Sequence, residues 1–318
     1  MVSVADRHSG TMNTLTDIAT RRLAWDGVSF DVPHDWELAG YRFLKHGITH
    51  IDVEDDFSMR LEAEWIRPDE GLSMQQLVPR YEKISRKLTL QSDDERTLTG
   101  LPAGWSATLH LFRDDTIGGH SPDGIRKRMI TAFYVGPHAS IFAFLLLHFG
   151  AEDLEQPEAV MARVAGGFTQ QSDGPTIRWQ LFDIGFDMPR EFKLESTEFD
   201  VGSKMMTFRR EQRRLLLWHF SCADRILARN SHMEAWAAGY LNGFSNLKGP
   251  IFEPGSSGRV ETRRRKKYLF GHRDELVRRC MKYLARCRQD HEKNQLVAWV
   301  FQYRKDADLA MLPHWLET

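Results

Sequence analysis

The chain has 318 residues, of which 42% are hydrophobic and 27% are charged, and this composition excludes a largely disordered protein. Residues 140–148 form the most apolar stretch, which is too short to cross a bilayer as a helix, and the polar N-terminus has no secretory h-region. Residues 1–175 carry 17 Lys and Arg against 26 Asp and Glu, whereas residues 176–318 carry 26 against 18. We therefore expect two domains, the first acidic and the second basic.

The elements of the first half follow a polar segment at residues 1–24. A short strand begins at Val28 and ends at Pro33, because proline cannot donate a hydrogen bond to a sheet. Alternating and apolar patterns then predict further strands, with one internal helix and one closing helix. The predicted strands are 41–46, 48–53, 57–66, 96–99, 105–112, 128–135 and 140–147, and the predicted helices are 71–88 and 157–168.

The second half begins with a similar strand at Ile184, after a junction at residues 173–175. The patterns predict strands at 204–208, 215–220, 259–270 and 296–303, a helix at 233–241 and a long helix at 273–293. We therefore expect an α+β fold. It consists of two similar antiparallel-sheet domains with packed helices, at residues 25–172 and 176–318, the second with the long helical insertion.

The two opening strands are copies of one segment. VSFDVPHDWEL, from Val28, aligns without a gap on IGFDMPREFKL, from Ile184, and each copy follows a tryptophan, Trp25 or Trp179. The shared Phe, Asp, Pro and Leu predict an internal duplication.

These segments resemble the opening strand of Mog1/PsbP-like domains, which often begin with Phe-x-x-Pro-x-x-Trp/Phe. The turn at Leu101, Pro102 and Ala103 and a closing helix that ends at Phe168 are similar to that family as well. The resemblance covers residues 25–170 and, more loosely, 179–303. It implies proteins that bind other proteins, stabilise assemblies or sit in envelopes, and it carries over no catalytic residues.

Recognisable catalytic motifs are absent from the sequence. It has no GxxxxGK[ST], GxGxxG, HExxH, CxxC or GxSxG pattern, and the near match GHSPDG at residues 119–124 reads as a hairpin loop. Two acidic groups either bind a hard cation or are solvated loops, and we favour loops. They are Asp52, Glu54, Asp55 and Asp56, and Asp114 and Asp115 with His120 and Asp123.

Cysteine and histidine share one face of the predicted long helix. Cys280, Cys287 and His291 could bind zinc if Cys222 or His272 supplied a fourth ligand. Alternatively, the two cysteines continue an apolar stripe with Leu276 and Leu284. We favour packing, and we expect no metal and no other cofactor. Three cysteines give no even disulfide framework, which points to a reducing cytoplasm.

A basic stretch in the second half is the strongest local anomaly. It either neutralises a polyanion such as nucleic acid, contacts a protein or the acidic half, or is a solvated edge protected by charge. The candidate binding residues are Arg259, Arg263, Arg264, Arg265, Lys266 and Lys267, with Arg209, Arg210, Arg213 and Arg214 around a predicted turn.

The sequence favours a binding protein over an enzyme. We expect a non-catalytic accessory or assembly subunit of a cytoplasmic complex, with an unidentified protein partner and no membrane contact. The alternative is a polyanion-binding protein that uses the basic stretch from Arg259 to Lys267.

Overall fold

The structure, a computed structural model, describes residues 19–67, 78–113, 125–153, 155–171, 174–230, 232–244, 247, 250–264 and 281–316. The chain divides into two compact units. Unit 1 comprises residues 1–173 and 178–185, and unit 2 comprises residues 174–177 and 186–318.

The first part of the chain contains ten strands and two α-helices within the described residues. They are β1 (Thr20–Trp25), β2 (Val28–Pro33), β3 (Glu37–Phe43), β4 (Thr49–Glu54), β5 (Met59–Ile66), α1 (Val78–Gln91), β6 (Asp94–Thr97), β7 (Trp105–Arg113), β8 (Ile125–Val135), β9 (Phe142–Gly150), α2 (Pro157–Gly167) and β10 (Thr169–Gln170).

The second part continues with strands and two further α-helices, and a 3-10 helix at Asp306–Met311 follows the last strand. The elements are β11 (Thr176–Leu181), β12 (Ile184–Pro189), β13 (Lys193–Asp200), β14 (Ser203–Arg210), β15 (Arg213–Ser221), α3 (Ala223–Leu227), α4 (Met233–Gly243), β16 (Pro250–Pro254), β17 (Arg259–Arg264), β18 (Lys282–Asp290) and β19 (Gln295–Tyr303).

Each unit contains a seven-stranded sheet, and the two sheets have the same topology. The order is β3-β4-β5-β9-β8-β7-β6 in unit 1 and β13-β14-β15-β19-β18-β17-β16 in unit 2. In both sheets the neighbouring strands are antiparallel. A third sheet has the order β10-β2-β1-β11-β12. The matching strand order is the outcome that the repeated segment predicts.

A shared irregularity fixes which residues correspond. The ladder shifts between Leu38 and Gly40 in unit 1 and between Leu194 and Ser196 in unit 2, and the repeated segment aligns Leu38 with Leu194. Because a bulge sets the register of the strands beside it, the pairing can be followed outward from this point in both sheets. Up to the next irregularity of unit 1, between Val53 and Glu54, each paired residue of β4 and β5 thus has a defined counterpart in β14 and β15.

A helix covers one face of each seven-stranded sheet. In unit 1, Tyr81 of α1 is fully buried, and its ring lies 5.0 Å from that of Phe142 and 4.9 Å from that of Phe144. In unit 2, the Trp218 ring lies 6.1 Å from Tyr240 of α4 and 5.2 Å from Phe244. None of the helices within the described residues has the length and apolar character that crossing a bilayer requires.

The predicted fold class is wrong, because the chain is largely β, with three antiparallel sheets. The long helical insertion at 273–293 is also wrong, since residues 282–290 form β18, which pairs with β17 and β19. Ala285 and Cys287 are buried at the period of a strand. A short run of alternating apolar residues also fits helical spacing, so the pattern alone did not separate the two structures. Residues 273–280 lie outside the described residues.

Candidate functional site

Three of the four basic candidates around the β14–β15 turn, Arg209, Arg213 and Arg214, contact carboxylates. Arg214 donates to Glu195 at 2.7 Å, and Arg209 lies 3.5 Å from the same carboxylate. Arg213 binds the buried Asp308 at 2.9 Å, and this contact holds the pKa of Asp308 well below its usual range. Such internal pairs leave less positive charge for an external anion.

The other basic candidates are only partly within the described residues. Arg263 lies in β17, the strand next to the edge strand β16, and it binds Glu253 at 2.6 Å. Arg259 begins the same strand. Arg264 ends β17, and Arg210 ends β14. Arg265, Lys266 and Lys267 lie outside the described residues. Three strands, β15, β19 and β18, separate β14 from β17 in the sheet, and binding of a polyanion by these candidates stays a prediction.

The cysteine and histidine candidates do not share a helix face. Cys287 lies in β18, is buried in the core beneath α4, and its pKa is raised to about 12 by burial. His291 follows in the turn after β18, and Cys222 is exposed. Cys280 and His272 lie outside the described residues. Cys287 and His291 therefore do not lie on one face of a helix, which is the arrangement that the predicted zinc site required.

Asp55 and Asp52 of the first acidic run lie in different surroundings. Asp55 accepts hydrogen bonds from the backbone of Phe57 and Ser58 and from Arg60, so it stabilises the turn after β4. Asp52, by contrast, lies within β4 and faces a group of ionisable side chains. The second run, with Asp114, Asp115, His120 and Asp123, lies outside the described residues.

Six polar side chains converge on one face of the sheet of unit 1. They come from four neighbouring strands, because alternate residues of a strand face the same side and antiparallel pairing aligns them across the ladder. We call them the His50 cluster: Arg42 of β3, His50 and Asp52 of β4, Glu62 and Glu64 of β5, and His148 of β9.

His50 is the centre of the cluster. Its Nδ1 lies 3.0 Å from Glu64 Oε1, and its Nε2 lies 2.7 Å from Asp52 Oδ1 and 2.5 Å from an Arg42 guanidinium nitrogen. His148 Nε2 lies 2.9 Å from Glu62 Oε1. One ligand-type atom from each of His50, Asp52 and Glu62 lies within 4.8 Å of the other two.

The cluster runs from the interior to the surface. The side chains of His50 and Glu64 are buried, whereas those of Glu62 and Arg42 are 36% and 59% exposed. Burial lowers the pKa of His50, but hydrogen bonds to Glu64 and Asp52 outweigh it and raise the pKa above its ordinary value. The hydrogen bond from His148 holds the pKa of Glu62 below its usual range. The cluster is thus an anionic group that solvent reaches from one side.

Unit 2 carries no such cluster at the corresponding positions. Following the register from the shared bulge, His50 corresponds to Met205 and Asp52 to Thr207. Glu62 and Glu64 correspond to Leu216 and Trp218, which are both buried in the core beneath α4. The shared scaffold therefore does not require ionisable groups at these four positions, and only unit 1 has them there.

Of these six residues, the sequence alone points only to Asp52, which belongs to the first acidic run. The missed signal is a pair of adjacent predicted strands that both alternate. His50 and Asp52 occupy the polar positions of the first, and Glu62 and Glu64 those of the second. Pairing the two strands as a hairpin brings these four side chains together.

Comparisons with known proteins do not identify a family. No family model matches the chain, and no curated protein matches it. A solved structure, the complex structure of Pseudomonas aeruginosa MucA/MucB, is similar over 90% of this chain and 87% of that chain, with 10% identity and a TM-score of 0.17. A likeness this low carries no argument about fold or function, and the resemblance to Mog1/PsbP-like domains stays a prediction.

Proposed function

We propose that the protein acts by binding, as a non-catalytic accessory subunit that holds a protein partner in a cytoplasmic complex. The observation that carries the proposal is the exposed end of β3. This strand is at the edge of the seven-stranded sheet of unit 1. Its last two residues are exposed: the side chain of Arg42 is 59% exposed, and Phe43 as a whole residue is 51% exposed.

An edge strand presents backbone donors and acceptors to which an extended segment of another chain can add. Phe43 supplies an apolar anchor at this edge, since its ring contacts Tyr41 at 5.6 Å while half of the residue stays exposed. Tyr41 in turn contacts the buried Trp25 at 4.9 Å. The exposed ring is therefore held by a row of aromatic residues that reaches the core, which reduces the entropy lost when a partner binds.

The contacts of His50 support binding rather than nucleophilic catalysis. Among the described residues, its hydrogen-bonding neighbours are Arg42, Asp52 and Glu64. None of these carries a hydroxyl or thiol that the imidazole could activate as a nucleophile. The free thiols of Cys222 and Cys287 support the cytoplasmic part of the proposal, because a reducing compartment preserves them.

The test is recovery of a partner from native extract with tagged full-length chain. We expect one protein to be retained in stoichiometric amount by the wild type and lost with Phe43→Glu, which places a charge at the proposed anchor. Val201→Glu is the matched control, because Val201 is fully exposed in the turn between β13 and β14 of unit 2. Equal recovery with both variants, or no stoichiometric partner with the wild type, would contradict the proposal.

A further inference from the structure

We infer that the His50 cluster is a binding site for a divalent transition-metal ion, with His50, Asp52 and Glu62 as ligands. This inference goes beyond partner binding at β3 and does not depend on it. It stands on the hydrogen-bonding conflict at His50, on the spacing of the donor atoms and on the contrast with unit 2.

The conflict concerns a single nitrogen atom. His50 Nε2 has the acceptor Asp52 Oδ1 at 2.7 Å and the donor guanidinium of Arg42 at 2.5 Å. With a proton, Nε2 satisfies Asp52 but opposes Arg42, and without one it accepts from Arg42 but opposes the carboxylate. A metal ion resolves this conflict, because it binds the lone pairs of the nitrogen and of the carboxylate together.

The spacing of the donors fits one ion after small adjustments. Zinc binds histidine nitrogen and carboxylate oxygen at about 2.0–2.2 Å, so two ligand atoms of a tetrahedral ion are about 3.4 Å apart. The atoms of His50, Asp52 and Glu62 lie within 4.8 Å of one another, which requires side-chain movements of less than about 1 Å. Glu62 is partly exposed and can make such a movement.

Two further side chains hold the ligands in place. Glu64 Oε1, 3.0 Å from His50 Nδ1, fixes the imidazole so that Nε2 faces Asp52. This is the carboxylate–histidine arrangement that orients metal ligands in proteins. His148, 2.9 Å from Glu62, positions that carboxylate in the same way. Both are therefore positioning residues rather than ligands.

The charge of the cluster favours a cation. The cluster contains three carboxylates, those of Asp52, Glu62 and Glu64, and one guanidinium, that of Arg42. That guanidinium contacts both His50 and Asp52, so it occupies the place of a positive ion and must move for metal to bind. Its side chain is 59% exposed at the sheet edge and can turn into solvent.

The donor set indicates the class of metal. An imidazole nitrogen with carboxylate oxygens suits zinc and its first-row neighbours, whereas Mg²⁺ and Ca²⁺ prefer oxygen ligands alone. Three protein ligands leave one position of a tetrahedral ion for solvent or for a group of a bound molecule. We therefore use Zn²⁺ as the probe and Mg²⁺ as the comparison.

The test is calorimetric titration of chelator-treated full-length chain with Zn²⁺, without any partner. We expect one equivalent to bind and Mg²⁺ to bind at least 10-fold more weakly. Glu62→Gln, at a partly exposed position, should lower the Zn²⁺ affinity at least about 10-fold. His50→Met, which introduces the residue of unit 2, should abolish binding, and Arg42→Ala should raise the affinity. Glu37→Gln, on the same edge strand, is the control and should leave it unchanged.

Metal protection against unfolding provides a second readout that shows whether each variant folds. Zn²⁺ should raise the melting temperature of the wild type and of Glu37→Gln, because a ligand that binds the native state stabilises it. It should not raise that of His50→Met. The inference would be overturned if the wild type bound no equivalent of Zn²⁺. It would also be overturned if Glu62→Gln and His50→Met bound Zn²⁺ with the affinity of the wild type. Since no partner is present, either result leaves the proposal for β3 standing.

Discussion

At the scale of single residues, His219 of β15 is an ionisable group held in its neutral form. Both ring nitrogens are buried without a hydrogen-bond partner among the described residues, and the ring stacks on Phe186 at 6.3 Å. Burial, with smaller contributions from Arg288, Lys293 and Lys204, lowers the pKa of His219 from 6.5 to about 3. Protonating this residue therefore opposes folding.

The sign of the resulting pH dependence follows from the two pKa values. Between pH 6.5 and 3 the unfolded chain binds more protons at this residue than the native chain, so its contribution to stability is present above pH 6.5 and is lost as the pH falls. The loss from pH 7 to pH 5 amounts to about 2 kcal/mol. We expect the free energy of unfolding of His219→Phe to fall by about 2 kcal/mol less than that of the wild type between pH 7 and pH 5. Urea unfolding of both proteins at both pH values measures the difference. Identical pH dependence in the two proteins would contradict this prediction.

At the scale of elements, the two strands of the repeated segment, β2 and β12, have the same task. Phe30 of β2 and Phe186 of β12 are equivalent in the repeated segment, and both are buried. The two aromatic residues that follow the prolines, Trp36 and Phe192, are buried as well. The segment is thus repeated because each copy inserts two aromatic side chains into a core.

We expect Phe30→Ala and Phe186→Ala each to lower the unfolding free energy by about 3–5 kcal/mol, because both remove a fully packed aromatic ring. Phe57→Ala is the control, since Phe57 is 91% exposed, and its effect should stay within about 0.5 kcal/mol. Urea denaturation of the three variants measures the differences. The equivalence of the two strands fails if either buried position tolerates alanine as well as Phe57 does.

The strands of the two seven-stranded sheets were predictable where an alternating or continuously apolar pattern was long. Residues 57–66 alternate and form β5 at Met59–Ile66, and residues 296–303 form most of β19. The pattern failed at residues 282–290, where apolar side chains fit a helix and a strand equally well and only the sheet decides. Here the strand completes a ladder between β17 and β19, which is a long-range pairing that no local pattern contains.

The site was less predictable than the fold, for a physical reason. His50, Asp52, Glu62 and Glu64 come from two strands, and each strand alone shows only ordinary alternation of polar and apolar residues. Their convergence depends on the pairing register, which places His50 opposite Glu64 and Asp52 opposite Glu62. A hairpin drawn between the two predicted strands would have revealed the four residues, but His148 enters only through the pairing with the distant β9.

At the scale of the whole molecule, one scaffold occurs twice and has diverged at one face. Unit 2 has Met205, Leu216 and Trp218 at the positions of His50, Glu62 and Glu64, and all three are buried in the core beneath α4. Unit 1 instead buries His50 and Glu64, which removes charged or polar groups from water. Since unit 2 folds the same topology without them, we interpret the cluster as retained for binding rather than for stability.

The most direct measurement of this claim is the free energy of unfolding of the double variant His50→Met/Glu64→Leu. Each single substitution should destabilise unit 1, because it removes the partner of a buried polar or charged group. The double variant replaces both groups by apolar side chains, as in unit 2, and we predict an unfolding free energy equal to or up to about 2 kcal/mol above that of the wild type. A loss equal to the sum of the two single losses would show that the cluster stabilises the fold and would contradict the account.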